Sequence, residues 1–186
     1  MVTTIDGSVQ LRTIPDCGKR DSDLHETTTV ELIDHIVRTH HAYLRKELPI
    51  LSRAVTDMYR VHGATHPEVA EIHIRFHELK TEIEHHMIAE EEAIFPQILK
   101  AERTRTAEGA EAVFTIGELE AEHDEIASML RNIRGITLDC FLPEESCRMF
   151  KQTFSKLQEM ELDISRHIHL ESDLLFPKYR SIGASF

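Results

Sequence analysis

Apolar side chains recur at steps of three and four residues over most of this chain, which is the spacing of one buried face of an α-helix. The first such stretch begins at a capping box on Thr28 and ends at Gly63, in the position of a C-terminal cap. Pro49 falls inside this stretch and is expected to kink the helix. The second stretch begins either with a capping box on Thr65 or with Pro67 as its first helical residue.

Two further stretches follow after a polar connection at residues 102 to 110. The third is expected to stop at Gly135, and the fourth to start at Pro143 and end at Gly183. Four amphipathic helices joined by short connections predict an all-α fold. We therefore expect an antiparallel up-down-up-down four-helix bundle over residues 28–186, preceded by a polar tail or short segment at residues 1–27.

One short pattern occurs twice within this periodicity. His86 and Glu90 belong to a stretch with the spacing H-x3-E-x4-F-P, and His167 and Glu171 belong to a second stretch with the same spacing. A His and a Glu four residues apart lie one above the other on one face of a helix. Two helices of the bundle are therefore expected to present a His/Glu pair each.

Each pair is preceded by a lone His on the helix before it. The interval from His41 to the first pair is nearly the same as the interval from His123 to the second. In an up-down-up-down bundle, positions near the middle of four helices share one layer, where bundles hold metal sites. The candidate metal ligands predicted in this way are His41, His86, Glu90, His123, His167 and Glu171.

The two carboxylates are the strongest sign of a metal. Glu90 and Glu171 each lie within an apolar stripe, and no Lys or Arg occupies the stripes. An ionised carboxylate buried without a partner costs several kcal/mol, which a cation would offset. Imidazole and carboxylate without thiolate suit iron or manganese better than structural zinc. Two ions bridged by the carboxylates would leave positions for an oxo or hydroxo bridge and for a small exogenous ligand.

Residue spacing does not determine the roles of the polar residues next to the candidate ligands. His40 is in phase with the same stripe as His41, so periodicity alone leaves the choice between them open. Glu122 is expected to be a solvated acidic residue, and its alternative role is to orient a ligand or relay protons. Glu91 and Glu92 are expected to face solvent.

The composition limits the classes of partner that the protein could bind and the cellular compartment in which it is expected. Acidic residues outnumber basic ones 33 to 21, a formal charge of −12, which argues against binding to nucleic acid or to an anionic membrane. No apolar run reaches the ~20 residues of a membrane span, and the first residues lack the pattern of a signal peptide. Cys17, Cys140 and Cys147 show no C-x2-C spacing, and we interpret them as reduced thiols of a cytoplasmic protein.

On these residues the chain resembles the hemerythrin-like superfamily, and within it the di-iron proteins called repair of iron centres, or iron–sulfur cluster repair proteins. The resemblance covers residues 30 to 180, and its matching stretches are Asp34 to Pro49, His85 to Pro96, Glu120 to Glu125 and His167 to Pro177. It implies two iron ions held by the six candidate ligands. It also implies His41 rather than His40, and His86 rather than His85.

The chain departs from the related families in two respects. Oxygen-carrying hemerythrins, which have a similar fold, use an additional His ligand and an Asp at the last carboxylate position, where this chain has Glu171. Repair proteins usually carry an N-terminal domain with a paired-Cys motif, whereas residues 1–27 hold only Cys17. The first departure argues against reversible oxygen carriage, and the second argues against the repair assignment.

The resemblance implies a non-haem di-iron protein of the nitrosative and oxidative stress response. Such a protein would repair iron–sulfur clusters or donate iron to them, and would react with nitric oxide, oxygen or peroxide. Iron–sulfur proteins are then its expected partners. The alternative is a sensor or storage module that binds O2 or NO without turnover. A ferritin-type oxidase is a third hypothesis, but such bundles use more carboxylates and fewer His residues.

Overall fold

The computed structural model describes residues 27–104, 109–139 and 148–183, with side chains over 27–104, 116–137 and 148–180. Within these ranges the chain forms four long helices and no strand, which confirms the predicted all-α fold. The three cysteines and Pro143, the predicted start of the fourth helix, lie outside the described residues. The division into a tail of residues 1–27 and a bundle of residues 28–186 stays a prediction.

Helix α1 spans residues 29–62 and consists of Thr29–Ile36, a π-helical segment Val37–His41, and Ala42–His62. The predicted capping box is present at its start. The Thr28 hydroxyl accepts a hydrogen bond from the Glu31 backbone N–H, and the Glu31 carboxylate accepts one from the Thr28 backbone N–H. Gly63 caps the helix, as expected. Pro49 lies inside the continuous helix, and the kink expected there stays a prediction.

Helix α2 spans residues 67–104 and consists of Pro67–Ala89, a π-helical segment Glu90–Ile94, and Phe95–Thr104. Its first residue is Pro67, so of the two predicted starts the one with proline at the first position is confirmed. Helix α3 is Gly109–Asp139. Helix α4 spans residues 148–183 and consists of Arg148–His169, a π-helical segment Leu170–Leu175, and Phe176–Gly183. None of these helices, over the described residues, is long and apolar enough to cross a membrane.

The prediction that Gly135 ends the third helix is wrong, because α3 continues to Asp139. Gly135 is exposed, and nothing lies within 4 Å of the place that a Cβ would take. A glycine inside a helix costs about 1 kcal/mol relative to alanine. That cost does not stop a helix whose neighbouring residues favour it and whose apolar face, here with the buried Ile133, is packed.

The helices pack as an antiparallel bundle. Helix α1 lies against α2 and α4, and α3 lies against the same two helices. Between α1 and α2, Ser52 contacts His77 and Thr56 contacts His73, so residue numbers rise on one helix as they fall on the other. This arrangement confirms the up-down-up-down bundle expected from the short connections.

The core consists of two apolar clusters, one toward each end of the bundle. Along α1, for example, Ile36 belongs to one cluster and Leu44 to the other, with His41 between them. The clusters meet at buried polar side chains that we call the polar layer. The polar layer consists of His41, His86, Glu90, His123, His167 and Glu171, each at most 4% exposed. All four helices therefore contribute to it.

Replacing Gly135 by alanine should stabilise the protein. The added methyl group meets no atom within 4 Å, and alanine loses less backbone entropy than glycine when the helix forms. We expect Gly135→Ala to raise the free energy of unfolding by about 0.5–1 kcal/mol, measured by urea denaturation followed by circular dichroism.

The matched control is the same change at Gly63, which caps α1. A Cβ there would lie 2.6 Å from the backbone oxygen of Tyr59 and 2.5 Å from its ring, so Gly63→Ala should lower the free energy of unfolding. If Gly135→Ala destabilises the protein as Gly63→Ala does, the continuous α3 helix is contradicted.

Candidate metal centre

Of the four described helices, three change from α- to π-helical geometry at the polar layer. The segment Val37–His41 ends at a layer residue, Glu90–Ile94 begins with one, and Leu170–Leu175 contains Glu171. A π turn holds an additional residue, so it widens the helix and re-aims the side chains along it. Such turns are frequent at functional sites, and the apolar periodicity of the sequence does not reveal them.

Glu90 lies between two imidazoles from two different helices. Its Oε2 is 3.3 Å from Nε2 of His41 on α1, and its Oε1 is 3.2 Å from Nε2 of His86 on α2. The side chain is fully buried, and neither carboxylate oxygen has a hydrogen-bond donor among the described residues. The imidazole nitrogens are thus close to carboxylate oxygens that have no well-aligned donor, an arrangement that a shared cation would satisfy.

Glu171 occupies the matching position in the second half of the chain. Its Oε1 is 2.9 Å from Nε2 of His167, and its Oε2 is 3.2 Å from Nε2 of His123. This side chain is also fully buried, and its Oε2 has no hydrogen-bond donor among the described residues. Each carboxylate therefore has one oxygen near an imidazole of the His41/His167 pair and the other near an imidazole of the His86/His123 pair, as a bridging ligand would.

Among the described residues, the polar layer forms two overlapping groups that could each hold a metal ion, with ligand atoms within 4.8 Å of one another. The first site is His41 and His167 with Glu90 and Glu171, and the second site is His86 and His123 with the same two carboxylates. In each site the two imidazole Nε2 atoms lie 3.1 Å apart. The fold thus brings together all six side chains that were predicted as ligands, and this donor set suits iron or manganese.

The electrostatics of the layer also favour cations. Burial opposes protonation of His86, but the carboxylate of Glu90 outweighs it and raises the pKa of His86 to about 9. Burial likewise opposes protonation of His167, and the nearby carboxylates, Glu171 foremost, still raise its pKa. Burial disfavours the charged form of Glu171, yet His167 and His123 hold its pKa well below the usual range. Protons on His86 and His167 therefore compensate the buried carboxylates in the metal-free protein, and a metal ion would replace them.

The second ring nitrogen of His41 is held by Glu91. The Glu91 Oε1 lies 2.6 Å from Nδ1 of His41, and Arg45 pairs with Oε2 at 2.9 Å. Burial opposes ionisation, but Arg45 and His41 outweigh it and hold the pKa of Glu91 below its usual range. The prediction that Glu91 faces solvent is wrong, because only 25% of the side chain is exposed. Glu92 is exposed, as predicted.

Two other imidazoles of the layer have acceptors on Nδ1. Glu122 Oε2 lies 2.9 Å from Nδ1 of His86, although 50% of the Glu122 side chain is exposed. Glu122 is thus solvated, as expected, and also placed for the alternative role of orienting a ligand. The hydroxyl of Ser172, which the sequence did not single out, lies 3.1 Å from Nδ1 of His123. An acceptor at Nδ1 leaves Nε2 available to a metal ion.

His40, which periodicity could not separate from His41, is also buried. Its Nδ1 lies 2.9 Å from Asp163 on α4, and its ring is stacked on that of His167 with centroids 5.8 Å apart. His41, and not His40, belongs to the group of side chains that could hold a metal ion. The geometry therefore agrees with the choice of His41 and gives His40 a place in the wall of the first site.

Several known proteins are similar to this chain. The iron–sulfur cluster repair protein YtfE of Escherichia coli O157:H7 is 33% identical over 159 residues, which cover 85% of this chain and 69% of the relative. The proteins of the same name from Escherichia coli O81 (strain ED1a) and from Escherichia fergusonii are each 32% identical over the same shares.

Residues 32–179 match the family described as "Hemerythrin HHE cation binding domain". The match contains the whole polar layer and nearly all of the four described helices. Its description agrees with the two groups of buried His and Glu side chains that could each hold a cation. The resemblance inferred from the sequence is thereby confirmed, and the chain belongs to the hemerythrin family of HHE cation-binding domains.

Proposed function

We propose that the polar layer binds two iron ions and that the protein is a non-haem di-iron protein of the nitrosative and oxidative stress response, acting in iron–sulfur cluster repair or iron donation. The observation that carries this proposal is the sharing of Glu90 and Glu171 between two groups of ligand atoms. A single mononuclear site would not need two carboxylates with one oxygen toward each half of the layer.

Each residue of the layer has a defined role in this proposal. His41 and His167 would hold one ion, and His86 and His123 would hold the other, with the two glutamates available to both. When bound, iron would supply one-electron chemistry and open coordination positions for nitric oxide, oxygen or peroxide.

The repair role rests on similarity. Relatives that are 32–33% identical over 85% of the chain are named iron–sulfur cluster repair proteins. Shared bridging carboxylates suit iron donation, because an ion held by two imidazoles and two shared groups can leave without dismantling its neighbour's ligands. Damaged iron–sulfur proteins are then the recipients of the iron. The donated iron is cargo in this reaction.

Iron content tests the ligand assignment. Purified protein should hold close to two irons per chain, and Glu171→Ala should lose at least one, because it removes a ligand common to both sites. Iron would be measured by inductively coupled plasma mass spectrometry after iron loading and desalting. Asp173→Ala is the matched control, because it removes an exposed carboxylate from the same π-helical segment. Unchanged iron content in Glu171→Ala would contradict the assignment.

Iron transfer tests the repair role against the sensor alternative. The iron-loaded, reduced protein should restore activity to a [4Fe–4S] dehydratase inactivated by nitric oxide, and Glu171→Ala should do so poorly. The measurement is recovered dehydratase activity with radiolabelled iron traced into the repaired enzyme. A reversible nitric oxide adduct that forms without any iron leaving the protein would support a sensor or store instead.

The metal-free protein should lose stability as the pH rises. The pKa of His86 is raised from 6.5 to about 9 on folding, so its protonation stabilises the folded state fully below pH 6.5, and this contribution is lost as the pH rises through about 9. We expect the melting temperature of chelator-treated protein to fall between these pH values. The iron-loaded protein should show a smaller decrease, since bound metal keeps His86 deprotonated. Equal slopes for both forms would contradict metal binding at His86.

A further inference from the structure

The repeated pattern relates the two metal sites by position in the chain. His41 in the first site corresponds to His123 in the second, and each ring is stacked on the Phe of a repeated F-P pair. The ring centroids of His41 and Phe95 are 5.9 Å apart, and those of His123 and Phe176 are 5.8 Å apart. The ligand framework is therefore nearly symmetric, so any difference between the sites must come from the residues around it.

The acceptors on Nδ1 differ between corresponding positions. Glu91 and Ser172 each follow a shared carboxylate, and each contacts Nδ1 of the corresponding His. The Glu91 contact is 2.6 Å long and is supported by Arg45, whereas the Ser172 contact is 3.1 Å long and neutral. The position corresponding to Arg45 is Ala127. Hydrogen bonds to an ionised acceptor are roughly twice as strong as neutral ones, so His41 is held more firmly than its counterpart.

The walls of the sites differ as well. His40 and Asp163 form a buried pair at 2.9 Å beside the first site, with side chains 3% and 15% exposed. The corresponding positions beside the second site are Glu122 and Glu82, two exposed carboxylates that cannot pair with each other. A surface cavity of about 320 Å³ lies between them and reaches His86. The His40–Asp163 pair thus covers the first site, whereas Glu82 and Glu122 repel each other and leave a cavity beside the second.

These differences affect how readily each ion can leave. The ring of His86 has a cavity to rotate into, and its Nδ1 partner Glu122 is half exposed, so this contact is screened by water. The acidic residues that line the cavity favour a cation there. Rotation of the His41 ring would instead break the contact with Glu91, which Arg45 holds in place.

We infer that the two metal positions differ in lability: the ion bound by His86 and His123 exchanges with solvent through the cavity, and the ion bound by His41 and His167 is retained. This inference rests on the proposed di-iron function and names which iron is donated. Glu91 and Ser172 act as positioning residues that set the difference between the two sites.

Release kinetics test the inference directly. Iron-loaded protein would be mixed with an excess of a coloured ferrous chelator, and the absorbance followed over time. We expect two phases of one iron per chain each, with the slow phase at least tenfold slower. Protein that has lost only its fast iron, refilled with ⁵⁷Fe, should show that isotope in one of two Mössbauer environments.

Two variants at corresponding positions assign the phases. Glu91→Gln should accelerate the slow phase by about tenfold or more and leave the fast phase unchanged, since outer-shell partners typically change metal affinity 10–100-fold. Ser172→Ala should accelerate only the fast phase. Glu92→Gln, an exposed neighbour of Glu91, is the control and should change neither phase.

A charge reversal in the cavity lining tests whether the labile iron leaves through the cavity. Glu82→Lys would place a cation beside Glu122 in addition to its contact with His86, and should slow the fast phase severalfold. Glu78→Lys makes the same change of net charge one turn away on α2, outside the cavity lining, and should leave the fast phase as it is.

The outcomes separate this inference from the proposed function. Two irons that leave with a single rate, or a Glu91→Gln variant that accelerates the fast phase instead, would overturn the inference and leave the di-iron assignment intact. Protein that never holds two irons would overturn the proposed function. Should Glu91→Gln fail to fold, the two phases of the unaltered protein and the effect of Glu82→Lys still decide the matter.

Discussion

Two carboxylates buried where the apolar clusters meet dominate the energetics of this bundle. Glu90 and Glu171 are fully buried, and three of their four oxygens have no hydrogen-bond donor among the described residues. Burial of an unmatched charge costs several kcal/mol, which is comparable with the whole stability of a domain. Positive charge must therefore reach the layer, as protons on imidazoles in the metal-free protein or as metal ions in the loaded one. The register of all four helices serves this requirement, since each helix brings a His or Glu side chain to the same level.

Much of this arrangement could be predicted from the sequence, because the signals are local. The apolar periodicity and the capping box at Thr28 define helices that can bury their stripes only against one another. Glu90 and Glu171 could be recognised from the sequence because a charged carboxylate is not expected among the buried apolar residues of a helix. The π-helical segments were not predictable, since the additional residue in one turn barely disturbs the periodicity over a long helix. The contact of Glu91 with His41 was missed for the same reason, because ideal α-helical phase places Glu91 toward solvent.

Gly135 shows a different limit of sequence reasoning. A glycine at the end of an apolar stripe is a common helix cap, but a glycine can also continue a helix at a cost of about 1 kcal/mol relative to alanine. Here α3 continues through Gly135 to Asp139. The sequence alone could not decide between His40 and His41 either. Both side chains are buried, and only the partners on facing helices, Asp163 for one and Glu90 for the other, distinguish them.

In the proposed di-iron protein, the sharing of both carboxylates also explains how one iron could leave without destabilising the bundle. Two buried carboxylates carry two negative charges, and a single divalent ion held by His41 and His167 would lie beside both of them, since Glu90 and Glu171 belong to that group of candidate ligands. The charge of the layer is then still balanced after the second ion has gone. A bundle with equally labile sites would depend on protons on His86 and His167 for this compensation whenever both ions left together. A bundle with equally tight sites could not donate iron. Unequal sites around shared carboxylates meet both requirements, because the retained ion holds the layer together while the other exchanges.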